Sequence, residues 1–197
     1  MIKRLSEITD IQAGYPFRGS IKHDKHASVS VIQAKDISNL GDLLPNNLVK
    51  TELAGKKQPT WLQAGDILFI AKGLRHYACW IPEGIEQTTC APSLFIIRVK
   101  AGLQHSVNSK FLAWQLNQKP IQNYFKKSAE GSTQINIRKP ILSEAALAIP
   151  DLETQESIAK LYEASLKEHA LLNQLISNRQ QQLNAIASDL LKNSIKN

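Results

Sequence analysis

Between residues 126 and 138 the chain carries the side-chain types that bind phosphates and base edges. Lys126 and Lys127 open the segment, hydroxyl and amide side chains follow, and Arg138 closes it. Lys, Ser and Thr side chains contact phosphate oxygens, whereas Asn and Gln are suited to adenine and Arg to guanine. The segment therefore predicts a surface that can bind a nucleic acid.

A second group of candidates directly follows an apolar run. Lys72, Arg75 and His76 come after residues 67–71, which have the length and composition of a buried central strand. A loop held by a rigid strand is a common position for binding residues. A solvated hairpin loop is an alternative interpretation of the same residues.

A third group lies between residues 20 and 26. Lys22 and Lys25 occur there together with His23 and His26. The two lysines are candidates for phosphate contacts, because Lys and Arg neutralise the backbone of a nucleic acid. A cluster of this kind is more often a solvated loop, and that alternative remains open.

No catalytic or metal-binding motif is found in the sequence. It contains neither a Gly-rich phosphate loop nor a dinucleotide fingerprint. None of the five histidines is accompanied by the acidic or Cys residues that would complete a zinc site. Ser93 is not in a nucleophile elbow, and Glu83 and Glu86 are more simply solvated than paired for acid–base chemistry. An enzyme assembled from scattered residues is therefore an unsupported alternative.

The charge is unevenly distributed along the 197 residues. Residues 1–150 carry 19 Lys and Arg against 11 Asp and Glu, whereas residues 151–197 carry 5 against 6. The net charge of +7 therefore comes from the first part of the chain. An excess of this size favours a polyanionic partner. Cys79 and Cys90 are too few for a disulfide framework and lack metal-ligand spacing.

Neither secretion nor membrane insertion is indicated by the sequence. The N-terminal residues lack the apolar core of a signal peptide. No run approaches the roughly 18 apolar residues that a membrane span requires. We expect a soluble, cytoplasmic protein.

Periodicity and turn residues predict an α+β fold. Apolar and β-branched runs predict strands at residues 29–34, 67–71, 94–99 and 145–149. Asn108 or Ser109 can cap a helix with the apolar spacing of a core face, Pro120 ends this helix, and residues 121–125 predict a second short one. These elements predict one mixed domain with a β-rich core over residues 1–150.

Residues 151–197 predict one long helix. Pro150 precedes it, Thr154 is a suitable N-cap, and the region contains neither Gly nor Pro. Steps of four and three residues form the seam of a left-handed coiled coil. The apolar seam positions are Ile158, Tyr162, Leu172, Ile176, Leu183, Ile186 and Leu190. A helix folded back on the domain's own core is the alternative.

The seam is interrupted by three polar residues and widened by leucines at its sides. Ser165, His169 and Arg179 are the interruptions, and their role is more simply to set the register than to catalyse a reaction. The flanking residues are Leu161, Leu171, Leu175 and Leu191. The wider apolar face indicates packing against more than one neighbour.

Seven short motifs occur in a distinctive order. They are Leu5-Ser-Glu-Ile8, Gly14-Tyr-Pro-Phe17, Gln33-Ala-Lys-Asp-Ile37, Ala64-Gly-Asp-Ile-Leu-Phe69 with Gly73, Phe111-Leu-Ala-Trp114, Gly131-Ser-Thr-Gln134 and Ile149-Pro-Asp-Leu-Glu-Thr-Gln155-Glu-Ser-Ile158. In this order, and over its whole length, the chain resembles the specificity subunit of a type I restriction-modification system.

The resemblance implies a target recognition domain followed by a long helical spacer. The usual family member has two such units in tandem with antiparallel spacer helices, whereas this sequence has one. It resembles a half-subunit that would form a homodimer through an antiparallel coiled coil of its C-terminal helices. Such a dimer would bind a bipartite palindromic site in double-stranded DNA.

A non-catalytic role is also implied. Modification subunits that use S-adenosylmethionine to methylate adenine would be the partners, joined by restriction subunits in the restriction complex, and this chain would bind no cofactor. The residues then expected at phosphates are Lys22, Lys25, Lys72, Arg75, Lys126 and Lys127. The residues expected at base edges are His76, Ser132, Gln134, Asn136 and Arg138. A scaffold or decoy module of the same fold, without specific DNA recognition, is the alternative.

Overall fold

The computed structural model describes residues 1–44, 48–53, 55, 57–73, 75–128 and 136–195, with side chains described as far as residue 192. Over these residues the strands are β1 (Ile2–Arg4), β2 (Thr9–Ala13), β3 (Val29–Ile32), β4 (Val49–Thr51), β5 (Ile67–Ile70), β6 (Ala78–Trp80), β7 (Thr88–Cys90), β8 (Leu94–Val99) and β9 (Ala146–Ala148). The helices are α1 (Leu5–Ile8), α2 (Ser109–Asn117), α3 (Lys119–Ser128), α4 (Lys139–Ser143) and α5 (Leu152–Ile195).

The principal sheet has four antiparallel strands in the order β2-β8-β5-β6. All four residues of β5 are buried, because its two faces contact different parts of the core. Ile67 and Phe69 belong to the cluster that includes α2 and α3. Leu68 and Ile70 belong to the cluster beneath the smaller sheet. Alternate residues of a strand point to opposite faces, so an unbroken apolar run is what this central position requires.

A smaller sheet has the order β4-β3-β7, with β3 antiparallel to β4 and parallel to β7. The sequence predicted a strand over residues 29–34, but β3 ends at Ile32. Asp36 accepts a hydrogen bond from the Gln33 backbone N–H through Oδ2 at 2.9 Å. This capping interaction folds Ala34–Asp36 into a 3-10 turn, so the strand stops two residues early.

The helix predicted from Asn108 onward is present as α2. Asn108 is the N-cap, and its Oδ1 accepts the Phe111 backbone N–H at 3.0 Å. Pro120 does not end this helix, contrary to the prediction. Gln118, in an extended conformation, ends α2, and Pro120 lies in the first turn of α3, where a missing backbone N–H costs little.

A third, two-stranded sheet pairs β1 with β9 directly before the long helix. The helix begins at Leu152, so Thr154 is inside its first turn and is not the N-cap. Asp151 takes that role, since its carboxylate accepts the Thr154 backbone N–H and hydroxyl, both at 2.9 Å. These hydrogen bonds lower the pKa of Asp151. An Asp at this position also suits the positive end of the helix dipole.

Gln155 binds the first turn of α5 to the loop that precedes α2. Its side chain is fully buried. Its Oε1 accepts the Asn108 backbone N–H at 2.9 Å, and its Nε2 donates to the carbonyl oxygens of Ser106 and Pro150, both at 2.9 Å. All three bonds are to backbone groups, so this one amide joins the first turn of α5 to the loop before α2.

We expect Gln155→Leu to lower the free energy of unfolding by about 3 kcal/mol. Leucine has a similar volume but leaves one buried N–H and two carbonyl oxygens without a partner, each of which costs about 1–3 kcal/mol before water compensates for part of it. Urea denaturation followed by tryptophan fluorescence measures the change. Glu156→Ala, at the exposed neighbouring position, should change the stability by less than about 0.5 kcal/mol. Equal effects of the two substitutions would contradict this role of Gln155.

Contacts divide the chain into two compact units, Met1–Ala159 and Lys160–Asn197. The first unit extends past the boundary at residue 150 that the sequence predicted, because the buried Gln155 and Ala159 belong to it. From Leu171 to Leu191 the large apolar side chains of α5 are 52–67% exposed. The prediction of an α+β fold with one long C-terminal helix is confirmed, whereas pairing of the helix in a coiled coil stays a prediction. No helix among the described residues is long and apolar enough to cross a membrane.

Candidate nucleic-acid interface

Two of the predicted binding segments lie side by side. Lys72 and Asn136 form an antiparallel β-bridge. Next to it, the Ile137 backbone N–H donates to the carbonyl oxygen of Ala71 at 2.9 Å. Ile137 is buried, while Lys72, Asn136 and Arg138 are exposed. The loop after β5 and the segment before α4 therefore present their polar side chains on the same part of the domain.

Helix α3 packs against the same loop. The Gln122 amide Nε2 donates to the carbonyl oxygen of His76 at 2.8 Å and also to that of Leu116 at 2.8 Å. Phe125 of the helix packs on Phe69 of β5, with ring centroids 5.0 Å apart. These contacts place α3 alongside the loop, and its last turn carries two lysines.

We define the basic loop surface as six exposed residues on these three segments, five cations and one amide. They are Lys72, Arg75, Lys126, Lys127, Asn136 and Arg138. Within the described ranges, none of its five cations has a carboxylate partner. The contrast is with Lys3, Arg4 and Arg98, which pair with Glu7, Glu144 and Asp66. Exposed, unpaired cations of this density are what phosphate binding requires.

The loop that carries Lys22 and Lys25 is attached elsewhere in the domain. The Asp24 backbone N–H donates to the Lys50 carbonyl oxygen at 2.9 Å, and the Lys50 backbone N–H donates to His23 Nδ1 at 3.3 Å. Lys50 belongs to β4, an edge strand of the smaller sheet. Lys22 and Lys25 are exposed there. The predicted phosphate contacts thus occupy two regions. In the basic loop surface they come from several segments, whereas Lys22 and Lys25 lie on one loop.

Two predicted base contacts, Ser132 and Gln134, lie outside the described residues. They belong to the stretch between α3 and Asn136. Their assignment to base edges stays a prediction.

The prediction that His76 contacts a base edge does not fit the structure. Its side chain is 6% exposed, and its ring stacks on Phe69 with the centroids 6.2 Å apart. Nδ1 lies 2.9 Å from the carbonyl oxygen of Ile70. A carbonyl can only accept, so Nδ1 carries the proton of the neutral ring. His76 therefore anchors the loop from below, while Lys72 and Arg75 remain exposed above it.

We expect His76 to make the protein less stable as the pH falls below about 6.5, the ordinary pKa of histidine. Burial lowers the pKa of His76, with the Ile70 hydrogen bond opposing that shift. The unfolded chain therefore binds this proton at a higher pH than the folded chain does. The contribution of the neutral His76 ring to the free energy of unfolding is complete above about pH 6.5 and decreases as the pH falls towards the lowered pKa.

Urea denaturation between pH 7.5 and 5 tests this expectation. His76→Gln, which keeps a donor for Ile70 but does not titrate, should show a smaller loss of stability over this range than the unsubstituted protein. His105→Gln changes an exposed histidine and should leave the pH dependence unaltered. An unchanged pH dependence in His76→Gln would contradict the role assigned to the buried ring.

Catalytic or metal chemistry is not suggested by any group of side chains in the described part of the chain. No cluster of three or more His, Cys, Asp or Glu residues suited to a metal ion occurs there. Burial raises the pKa of both the Cys79 and the Cys90 thiols to about 12, with smaller contributions from Asp42 and Asp66 respectively. Both cysteines are consequently protonated near neutral pH and are inert core residues.

The residues that position this surface were not predicted from the sequence. Gln122 contacts the loop after β5 although the two are 46 residues apart in the sequence. Ile137 contacts the same loop and follows α3 in the sequence. Their contacts depend on the path of the backbone, so no local pattern reveals them. The only available signal was the amphipathic spacing of Ile121 and Phe125, which indicated that this helix faces the core.

Comparisons with known proteins identify the family. The model of the type I restriction modification DNA specificity domain matches residues 1–185. None of the curated protein sequences matches the chain. Among solved structures, the HsdS subunit from Thermoanaerobacter tengcongensis is 16% identical with a TM-score of 0.64, covering 92% of this chain and 46% of its own. The S subunit of the type I restriction-modification system from M. genitalium is 19% identical with a TM-score of 0.54, covering 88% and 40%.

A third solved chain leads to the same fold. It comes from a structural study of complex assembly and conformational transition of the type I R-M system, and it is 18% identical with a TM-score of 0.59. It covers 94% of this chain and 43% of its own length, so this chain spans less than half of each of these structures. A DNA specificity domain is the non-catalytic part of such a system, in agreement with the prediction. On the match over residues 1–185, the chain belongs to the family of type I restriction modification DNA specificity domains.

Proposed function

We propose that this chain is the sequence-recognition subunit of a type I restriction-modification complex and that it binds duplex DNA through the basic loop surface. The supporting observation is the grouping of five exposed, unpaired cations with the Asn136 amide on three neighbouring segments. The positive charge of residues 1–150 supplies the long-range attraction to DNA. The fold of the DNA specificity family supports the same assignment.

Each type of side chain on the surface has its own proposed role. Lys72, Arg75, Lys126 and Lys127 bind phosphates and orient the domain, because contacts to phosphates carry no sequence information. Asn136 and Arg138 contact base edges, since their side chains can form two hydrogen bonds to adenine and guanine respectively. Further proposed contacts come from Lys22, Lys25, Ser132 and Gln134.

Dimerisation through α5 completes the proposal. A 44-residue helix is about 66 Å long, and its exposed leucines and isoleucines offer a continuous surface to a second copy. Two copies related by a twofold axis present the same recognition surface twice in opposite orientations. The proposed target is accordingly a bipartite palindrome whose gap depends on the length of the helix.

The chemistry belongs to partner subunits in this proposal. Modification subunits bind S-adenosylmethionine and methylate adenine, and they dock on the leucines that flank the seam, such as Leu171 and Leu191. Restriction subunits join the restriction complex, and the DNA target implies a cytoplasmic location. This chain binds no cofactor and contributes the choice of site.

Selection of random duplexes by the chain together with its modification subunit tests the proposal. The expected product is an inverted repeat with a gap of constant length. A protein that retains duplexes without sequence preference would instead be a scaffold or decoy module. If no duplex is retained at low salt, the assignment of DNA binding to this chain is wrong.

A further inference from the structure

We propose that Asn117 is a positioning residue for DNA binding, which holds Arg75 where it can contact a phosphate. This inference rests on the proposed binding of DNA by the basic loop surface and adds a residue that lies outside that surface. Asn117 is the last residue of α2 and is half-buried. Its amide contacts the end of the loop between β5 and β6, the loop that carries Arg75.

The contact is made with Ala78, the first residue of β6, whose backbone N–H and C=O do not face β5. β6 is the last strand of the principal sheet. On either side of Ala78, the Ile70 N–H donates to the Tyr77 carbonyl oxygen at 2.9 Å and the Ile81 N–H donates to that of Asp66 at 2.8 Å. Alternate residues of an antiparallel strand bond to the same neighbour, so the polar groups of Ala78 point away from β5. Ala78 is fully buried, and both groups therefore need a partner within the protein.

Asn117 makes the contacts that a neighbouring strand would make. Its Oδ1 accepts the Ala78 backbone N–H at 2.7 Å, and its Nδ2 donates to the Ala78 carbonyl oxygen at 2.8 Å. One amide thus forms the pair of hydrogen bonds that an opposite residue of an antiparallel strand forms. These two bonds hold the point at which the loop enters β6.

The first end of the loop is held by different contacts. The Lys72 backbone N–H donates to the carbonyl oxygen of Ser93 at 3.2 Å. Lys72 also forms the β-bridge with Asn136. Neither contact involves α2, so the position of Lys72 does not depend on Asn117.

The second end of the loop is held from α2 and α3. Asn117 binds Ala78, and the Gln122 amide donates to the carbonyl oxygen of His76 at 2.8 Å. Arg75 directly precedes His76 and is exposed. The contacts at this end therefore position the Arg75 guanidinium, and the loss of Asn117 should affect Arg75 but spare the first end of the loop.

α2 carries a second amide that makes the same kind of contact with another strand. Gln115 Oε1 accepts the Ala148 backbone N–H at 2.8 Å, and its Nε2 donates to the Ala148 carbonyl oxygen at 3.0 Å. Ala148 ends β9, which carries none of the basic loop surface. Residues two apart in a helix point about 200° apart, so Gln115 and Asn117 lie on opposite sides of α2. Gln115 therefore provides a matched control.

Fluorescence anisotropy of a labelled random-sequence duplex at several salt concentrations tests the role of Asn117. Asn117→Ala should raise the dissociation constant about fivefold at about 0.15 M salt and make the slope of log K against log salt less steep by about 1, the effect of one lost phosphate contact. Gln115→Ala removes the same pair of hydrogen bonds and should leave both quantities unchanged. Equal weakening by the two substitutions overturns the proposal.

Double variants distinguish the positioning of Arg75 from general destabilisation. In an Arg75→Ala background, Asn117→Ala should change the dissociation constant by less than about twofold, whereas in a Lys72→Ala background it should still weaken binding about fivefold. A fivefold effect that persists without Arg75 overturns the proposal and leaves DNA binding by the surface in place. If Arg75→Ala by itself does not weaken binding, the phosphate contact assigned to Arg75 is wrong, and the role of Asn117 is wrong with it.

Gln122→Ala is a milder variant of the same loop end. Asn117→Ala leaves a buried N–H without a partner, whereas Gln122→Ala removes a donor from carbonyl oxygens only, which is less costly to the fold. It should weaken duplex binding about threefold, the effect of one neutral hydrogen bond. This effect should also disappear in the Arg75→Ala background, and its retention there contradicts the positioning of Arg75 from α2 and α3.

Discussion

Replacing Lys72, Arg75 and Lys126 together with alanine is expected to weaken duplex binding by on the order of 100-fold at about 0.15 M salt. Each phosphate contact releases close to one counterion, which at this salt concentration contributes about 1 kcal/mol. The three cations are exposed, unpaired among the described residues and on adjoining segments. Their loss should therefore weaken binding to every sequence alike.

Fluorescence anisotropy of labelled duplexes at several salt concentrations measures both the affinity and its salt dependence. The slope of log K against log salt is negative, and it should become less steep by about 3 for the triple variant. Lys160→Ala, Lys167→Ala and Lys192→Ala together remove the same charge from exposed positions of α5 and form the matched control. If the control loses as much affinity as the triple variant, net charge alone drives binding and the basic loop surface has no special role.

Asp66→Ala is expected to lower the free energy of unfolding by about 3 kcal/mol, the lower end of the range for breaking a buried ion pair, because Arg98 is only partly buried. The Asp66 carboxylate is 1% exposed and accepts Arg98 Nε and Nη2, both at 2.7 Å. It also accepts the Gln63 backbone N–H at 2.8 Å. The hydrogen bond with Asp66 raises the pKa of Arg98, and that guanidinium in turn donates to the Trp61 carbonyl oxygen at 3.0 Å. Removing the carboxylate leaves a half-buried charge and a backbone donor without partners.

An exposed ion pair of the same domain provides the control for Asp66→Ala. Arg4 and Glu144 are 3.2 Å apart, with side chains 61% and 53% exposed. Glu144→Ala should cost less than about 1 kcal/mol, because water screens and replaces such a pair. Urea denaturation of both variants gives the comparison, and a loss below about 1 kcal/mol for Asp66→Ala would show that the Arg98 pair does not stabilise the strands it joins.

Three of the motifs that carry the resemblance hold the backbone in position. A Cβ atom at Gly14 would overlap the carbonyl oxygen of Ala91, so glycine is required there. Gly65 has a φ of 88°, which favours glycine, and it places Asp66 against Arg98. Gln155 joins three backbone groups. We therefore expect these three positions to tolerate few substitutions.

Sequence patterns located the central elements well and the element ends less well. The strands β5 and β8 and the helix α2 follow from apolar runs and from the Asn108 cap. The predictions of the end of β3, the start of α5 and the role of Pro120 were wrong. Each of these errors came from a side-chain hydrogen bond or a local backbone conformation, such as the Asp36 and Asp151 caps, that competes with the simple pattern.

By itself, the sequence determined the α+β class, the long C-terminal helix, the location of the positive charge and the resemblance to the specificity family. These properties depend on composition and on patterns that repeat over a few residues. Only the tertiary structure decided that Lys72 lies opposite Asn136, that α3 packs beside them and that His76 is buried beneath the loop. The physical reason is that a binding surface is assembled by hydrogen bonds and packing between distant segments, which no local pattern of residues contains.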